Sequence, residues 1–474
     1  MNVVLIKALQ LLCCLSLLVV LHEAGHFGFS KLFRVKVEKF YMFFNPYFHL
    51  FSTRDKWFTR LFPYFAKNET EYGIGWIPLG GYVKIAGMID ESMDTEQMKQ
   101  PAKEDEFRSQ SVWKRFLIMF GGVLMNLLTA WFIYSAVMFC WGRDYLPMQS
   151  ITKGFQYNEH AQQLGFRNGD IPVAADGEPL TEWSPSVFRT LSNARSVTVL
   201  RGTERVEITL QEKLNMLSIL QEVPPFLSIY SPAVIDSVVP EGAMGRAGAV
   251  KGDMLLAIEG VRIATWTDFD SIMQRRADIL DMPDCTHADS VRLRSMCVVF
   301  GSADGMRADT AQLQLDDRYM LGIVKQFPTA QYQDSFVHED YNLLTSIPAG
   351  LKKGWSTLSS YVNDLKYVAS ADGAKSVGSF ITIGNIFPEA WDWYQFWMLT
   401  AFISIILAVM NILPIPGLDG GHIAILLYEA VTGRQPSDRF MEWAERVGIF
   451  ILCALMLLAF SNDIRNFILP IFGL

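Results

Sequence analysis

Residues 3–21 read VVLIKALQLLCCLSLLVVL and run directly into HEAGH at 22–26. A stretch of about 20 apolar residues crosses a bilayer as a helix, because in lipid every backbone N–H and C=O must be bonded within the segment. Three more segments reach or approach that length: 116–140, 396–413 and 446–461. The chain of 474 residues is 50% hydrophobic, which suits several helices in lipid with a polar stretch between the second and third. The expected fold is a polytopic α-helical membrane protein with about four transmembrane helices. A net charge of −8 and the lack of a basic cluster give no reason to expect nucleic acid as a partner.

Ionisable groups in such a helix need a reason. Each costs about 2.5–3.5 kcal/mol near the bilayer centre, and His22, Glu23 and His26 stand together. The two histidines, four residues apart, share one helix face about a turn apart. With Glu23 they form H-E-x-x-H, in which a helix offers two nitrogen ligands to zinc and a carboxylate for general-base work. A chance match has a probability on the order of a per cent and falls more often in soluble sequence, where polar residues cost little. The metal reading therefore outweighs that of a satisfied histidine pair. A cleaved signal peptide is the poorer account of the segment. Only Lys7 is charged upstream, and no A-x-A-like site follows.

Basic residues set the expected orientation. Lys31, Arg34, Lys36, Lys39, Arg54, Lys56, Arg60, Lys114 and Arg115 fall between the first two apolar segments, which places 31–115 in the cytoplasm and 142–390 outside it. Cys13, Cys14, Cys140 and Cys453 lie in apolar segments and read as packing residues. Cys285 and Cys297 lie outside the cytoplasm on this topology. A disulfide and two free thiols both fit their spacing.

The polar middle is a repeat. LGFRNGDIPVAADGEPLTEW (164–183) matches AGAVKGDMLLAIEGVRIATW (247–266): Gly169-Asp170 with Gly252-Asp253, Gly177 with Gly260, Trp183 with Trp266. The offset of about eighty residues suits a duplicated small domain. SVTVLRGTERVEITL alternates about a Gly-Thr turn and reads as a hairpin. The pair resembles tandem PDZ domains of the circularly permuted bacterial kind, which take peptide ends by adding a strand to a sheet edge. The first copy departs from that pattern at Leu164 and Pro172. The second carries a polar insertion, roughly 279–310.

Where the third apolar segment ends, the chain reads MNILPIPGLDGGH (410–422). Pro, Asp and Gly together make turns, which is the plain account of Asp419. Irregular backbone at the end of a spanning segment is tolerated, however, where it lines a cavity, and catalytic zinc needs a third protein ligand. With HEAGH in the first helix, N-x-x-P-x-P-x-L-D-G in the third and the repeats between, the chain resembles the site-2 protease family, peptidase M50B, in its bacterial RseP branch. EYGIGWIPLGGYVKIAGM (71–88) is similar to that family's membrane-reentrant β element. FRSQSVWKRFLIMFGGVLMN (107–126), ending in Gly122 and Asn126, is similar to its second-helix entry.

The resemblance implies one zinc ion per chain held by His22, His26 and Asp419, with Glu23 as general base and Asn411 aiding substrate or oxyanion. Gly80, Gly81 and Asn126 are implied at the substrate. It implies an intramembrane endopeptidase of the bacterial inner membrane, acting on single-span proteins such as anti-sigma factors or signal-peptide remnants. SVGSFITIGNIF stands where the family often has Gly-Pro before the third helix, a departure that touches the substrate gate and not the metal.

The residues also suggest how a helical substrate is opened. Tyr72, Ile74 and Trp76 alternate toward a turn at 78–81, and Tyr82–Lys84 return, giving a membrane-associated β-hairpin whose edge holds peptide extended. Aromatic residues in 40–51 and 57–65 suit the headgroup level. Residues 341–362 read as an interfacial helix or as packing under the repeats. His49 and His422 lack ligand spacing to HEAGH.

The expected organisation is a first helix (1–32), a cytoplasmic loop with the β element (33–115), a second helix (116–141), two extracytoplasmic PDZ-like α+β domains (145–222 and 223–330), an amphipathic linker (331–394) and a C-terminal membrane region (395–474). Two rivals stand beside the protease: a catalytically silent PDZ scaffold in the membrane, and a metal transporter, which requires paired halves and broken helices.

Overall fold

The computed structural model describes residues 2–66, 68–88, 101–210, 214–280, 282, 285–303, 305–315, 319–368, 373 and 377–469. The chain forms two compact units, one of residues 1–142 and 340–474, the other of 143–339.

Among its described residues the first unit contains four helices long and apolar enough to cross a membrane. Helix α1 (Val3–Leu32) opens on Asn2, whose side chain accepts from the Val4 N–H at 3.1 Å. It is eleven residues longer than the apolar run, because HEAGHFGFSKL continues the helix while turning small and polar groups inward: Gly25, His26 and Ser30 are buried. There α1 crosses α2 (Val112–Trp141). A Cβ on Gly121 would stand 2.7 Å from the Gly25 carbonyl oxygen, so glycine on both helices permits the approach.

Between the two helices lie strands β1 (Val37–Phe44), β2 (Phe51–Ser52), β3 (Glu71–Ile74) and β4 (Ile77–Ile85), in the order β2-β3-β1-β4. The expected hairpin is corrected here. β3 and β4 do not pair with each other. β3 runs parallel to β1, with Lys39 opposite Glu71, and β4 runs antiparallel to it, with Tyr41 opposite Tyr82. Gly75 and Trp76 donate to the Met42 and Phe44 carbonyls at 2.8 and 3.1 Å, carrying the chain across the end of β1. Residues 78–81 are strand and not turn, with Gly80 at φ +154° because the Phe44 ring fills the place of a side chain. The strand partner that defeats the hairpin, β1, comes from about forty residues upstream of β4.

Helix α3 (Leu343–Val368) lies along α2, with Gly350 against Ser135 and Gly354 against Trp131. Leu358, Tyr361 and Leu365 pack on Ala130, Ile133 and Tyr134, so one face of the expected linker belongs to the helix bundle, while Leu344 and Trp355 remain exposed. A short helix α4 (Phe380–Ile386) precedes α5 (Trp393–Ile412), α6 (Asp419–Thr432) and α7 (Asp438–Asp463). α7 begins eight residues before its apolar stretch and carries Glu442, Glu445 and Arg446 within its helical run.

The second unit holds the duplication. Its first core has strands in the order Glu204–Thr209, Ser196–Arg201, Ile171–Ala175, Glu178–Pro179, with Leu227–Ile229 paired to Phe155–Tyr157. The second repeats this with Ala308–Gln314, Ser295–Ser302, Asp253–Ile258, Val261–Arg262, and Ile235–Val238 paired to Ile323–Lys325. The expected insertion at 279–310 therefore shrinks. Ser295–Ser302 is the counterpart of Ser196–Arg201, with Met296, Val298 and Phe300 fully buried, and what is added is the helix His287–Arg294 with its approach. Pro172 sits where the first sheet's register shifts, as a residue without an N–H must. Cys285 and Cys297 are free thiols. The unit runs to Glu339, beyond the expected 330, because Val337–Glu339 pairs with Arg143–Pro147.

Turn chemistry recurs at matched positions. Asp170 and Asp253 accept the N–H three residues back, from Arg167 at 2.8 Å and Val250 at 2.9 Å, and each is paired with an arginine, Arg201 and Arg307. Asp176 and Glu259 both have positive φ and accept N–H groups at the start of the next long strand. The Ser196 and Arg195 N–H donors hold the Asp176 carboxyl below the usual carboxylate range.

Candidate metal centre

One turn of α1 and the first residue of α6 meet inside the bundle. His22 Nε2 lies 3.2 Å from Asp419 Oδ2 and His26 Nε2 lies 3.4 Å from it, while the two imidazole nitrogens are 3.3 Å apart. Zinc bound to nitrogen and oxygen at about 2.0–2.1 Å places tetrahedral ligand atoms about 3.3–3.4 Å from one another. The triangle of donors has that size. Asp419 Oδ2 is buried with no hydrogen-bond donor, so its lone pairs are left for a cation. Among the described residues these three form the one group of at least three donors close enough to share an ion. Two neutral imidazoles and a carboxylate suit zinc.

The surrounding residues set the ring orientations. His26 Nδ1 donates to the Ile118 carbonyl at 2.9 Å, which leaves Nε2 as the lone-pair nitrogen. The Asn126 amide lies 3.1 Å from His22 Nδ1. Turned so that Oδ1 accepts the Nδ1 proton, the amide satisfies an otherwise unbonded buried oxygen and makes Nε2 of His22 the ligand atom too. Asn126, expected at the substrate, thus supports a ligand as well as lining the cavity. Ser404 of α5 donates to the Asn126 carbonyl at 2.7 Å and ties that helix to the site. Gly122 makes room for the rings: a Cβ there would stand 2.8 Å from His22 Nε2 and closer still to His26.

Asp419 reaches the site because the Pro-Gly segment ends α5 and starts α6 within a few residues. Gly417 takes φ +87°, and Gly420 and Gly421 sit against the carbonyls of Leu413 and Ile415, where a side chain has no space. Asn411, the penultimate residue of α5, brings Nδ2 to 3.4 Å from His22 Nε2.

A cavity of about 750 Å³ opens beside the donors. Glu23 lines it together with Val83 of β4. Gly80 and Gly81 line it, and Gly81 lets β4 approach α1, since a Cβ there would stand 2.9 Å from Val19. His422, set aside on spacing, lines it together with Glu445. The Ile118 carbonyl has no signal in sequence because any residue supplies one. Gly122 had a signal in the Gly-x-x-x-Asn pattern.

A carboxylate beside the two imidazoles, on the same helix, is what a metallopeptidase requires. The class is a membrane metallopeptidase. The chain belongs to peptidase family M50, whose family model matches residues 10–455. Over 95% of its length it is 28% identical to 96% of a protein of Xylella fastidiosa (strain 9a5c) named "Putative zinc metalloprotease". It is 25% identical, over 95% of the chain and 96% of the relative, to the "Regulator of sigma E protease" of Salmonella typhi. It is therefore a metalloendopeptidase of the site-2 type, with zinc as its metal.

Proposed function

We propose that the protein cleaves transmembrane segments of single-span membrane proteins within the bilayer of the bacterial inner membrane, in regulated intramembrane proteolysis. Anti-sigma factors and signal-peptide remnants are the substrate classes that fit. The observation that carries this reading is the triangle of donors at 3.2, 3.3 and 3.4 Å, buried between helices long enough to span lipid.

In this reading His22, His26 and Asp419 hold zinc, which supplies a nucleophile at neutral pH and polarises the scissile carbonyl. Glu23 takes the proton of the attacking water and returns it to the leaving amine. Asn411 donates to the oxyanion through Nδ2. A helical substrate must open first, since its carbonyls are tied up in its own hydrogen bonds. β4 lies at the edge of its sheet and lines the cavity through Gly80 to Val83, so it accepts an unwound segment as an added strand. Val83 of that edge and the base Glu23 line the same cavity. The duplicated unit, read as two PDZ-like domains outside the cytoplasm, binds peptide ends or excludes bulky ectodomains.

The test is zinc content and cleavage of a model transmembrane peptide in detergent, for wild type and Glu23→Gln together. Zinc in both with cleavage lowered about a thousandfold in the variant is expected, the scale of general acid–base catalysis. Zinc without cleavage in either returns the reading to a silent scaffold.

A further inference from the structure

The cavity beside the donors holds a second buried acid that neither the metal nor the base accounts for. Glu445 of α7 is 5% exposed and lines the cavity with His422 of α6. Its ion-pair partner is His422 Nε2 at 3.9 Å, beyond hydrogen-bond reach, and among the described residues no donor bonds its carboxyl. Other buried acids of this unit differ. Glu429 takes Arg115 Nη2 at 2.6 Å and Glu106 takes Arg108 Nε at 2.7 Å. The cavity's Lys84 is held 3.6 Å from Glu38. A carboxyl that lines a cavity between helices with no donor from the protein is completed by a donor on whatever enters that cavity.

The entering group has a definable chemistry. Glu445 is an acceptor, and a cation is the partner that most offsets a carboxylate in a low-dielectric site. The apolar stems of lysine and arginine pass along apolar walls while the charged end finds its partner. His422 follows Asp419 by three residues on α6, about 4.5 Å along the helix, so the pair stands close to one metal ligand. An extended peptide advances about 3.3 Å per residue, which puts side chains within two or three residues of the scissile bond in reach.

We propose that Glu445, backed by His422, is a specificity subsite that takes a lysine or arginine side chain of the substrate near the scissile bond. The proposal rests on the reading of this unit as an intramembrane peptidase.

The experiment uses the full-length, zinc-loaded protein in detergent and a series of transmembrane peptides with a single Lys, against Met, walked across the scissile region. The ratio of kcat/KM for Lys over Met is read for wild type, Glu445→Gln and Glu445→Asp, with bound zinc reporting that each variant is folded. At one or two positions wild type is expected to favour Lys by about tenfold or more, the scale of a charge-assisted hydrogen bond. Glu445→Gln brings that ratio near one, and Glu445→Asp restores part of it. Equal ratios in wild type and Glu445→Gln at every position overturn the subsite. Binding of the same peptides to Glu23→Gln, with and without Glu445→Gln, reads the subsite without cleavage. A Lys preference lost in the double variant upholds it even where wild type cuts nothing, an outcome that overturns the peptidase reading instead.

Discussion

Buried acids in the turns of the duplicated unit and those beside the cavity of the membrane unit are treated in opposite ways. In the duplicated unit Asp170 and Asp253 are almost fully buried, and each is satisfied by a backbone N–H and an arginine. In the membrane unit Asp419 has a buried oxygen with no donor, and Glu445 meets only a distant imidazole. Bonding capacity left unused at depth is destabilising, so a fold retains it where a ligand completes it. The saturated pair builds turns; the unsaturated pair faces a cavity.

Steric replacement of glycine breaks the comparison hardest. Gly122→Ala places a methyl against both ligand rings, while Gly28→Ala, with open space around it, touches nothing on the same helix as the ligands. Gly122→Ala is expected to lose stoichiometric zinc and about tenfold to a hundredfold in activity, on the scale of losses at groups that orient metal ligands. Gly28→Ala is expected to retain both. Metal analysis of the two purified variants decides it; zinc retained by Gly122→Ala would mean the rings can move aside.

Next comes the ion pair between Arg115 of α2 and Glu429 of α6, which holds the helix that begins at Asp419. Arg115→Met leaves Glu429 buried and unpaired, and is expected to cost about 3–5 kcal/mol; the double variant with Glu429→Met recovers most of it. Thermal unfolding in detergent compares the two. Recovery absent from the double variant would show that the pair contributes by packing alone.

The smallest effects belong to the saturated acids. Arg201→Ala and Arg307→Ala each remove the guanidinium from a buried aspartate and are expected to destabilise the second unit by about 1–3 kcal/mol, with zinc content unchanged. Hydrogen exchange on the full chain locates the loss. A loss of zinc in either variant would refute the division between structural and functional acids drawn here.

His22, Glu23 and His26 were legible because their spacing is a local helical property, and a single turn of α1 presents them together whatever else the chain does. Asp419 was legible only beside HEAGH, since Pro-Gly-Leu-Asp-Gly-Gly is equally good turn sequence. The repeat was legible because Gly-Asp turns constrain the backbone identically in both copies, down to the positive φ at Asp176 and Glu259. The strand at Ser295–Ser302 passed as insertion because the longer helical segment before it disguises the match with the first copy.

By itself the sequence determined the long apolar helices, the chemistry of the first two donors and the duplication, all of which depend on near neighbours in the chain. Tertiary structure decided the rest. β3 and β4 flank β1 because pairing depends on which distant edge is available, a choice that local alternation does not carry. Asp419 meets His22 and His26, Asn126 orients one ring, and Glu445 faces the cavity because helix packing brings residues hundreds of positions apart within ångströms. The energy that selects such an arrangement lies in close packing at glycine crossings and in the few polar groups that can be satisfied only across helices.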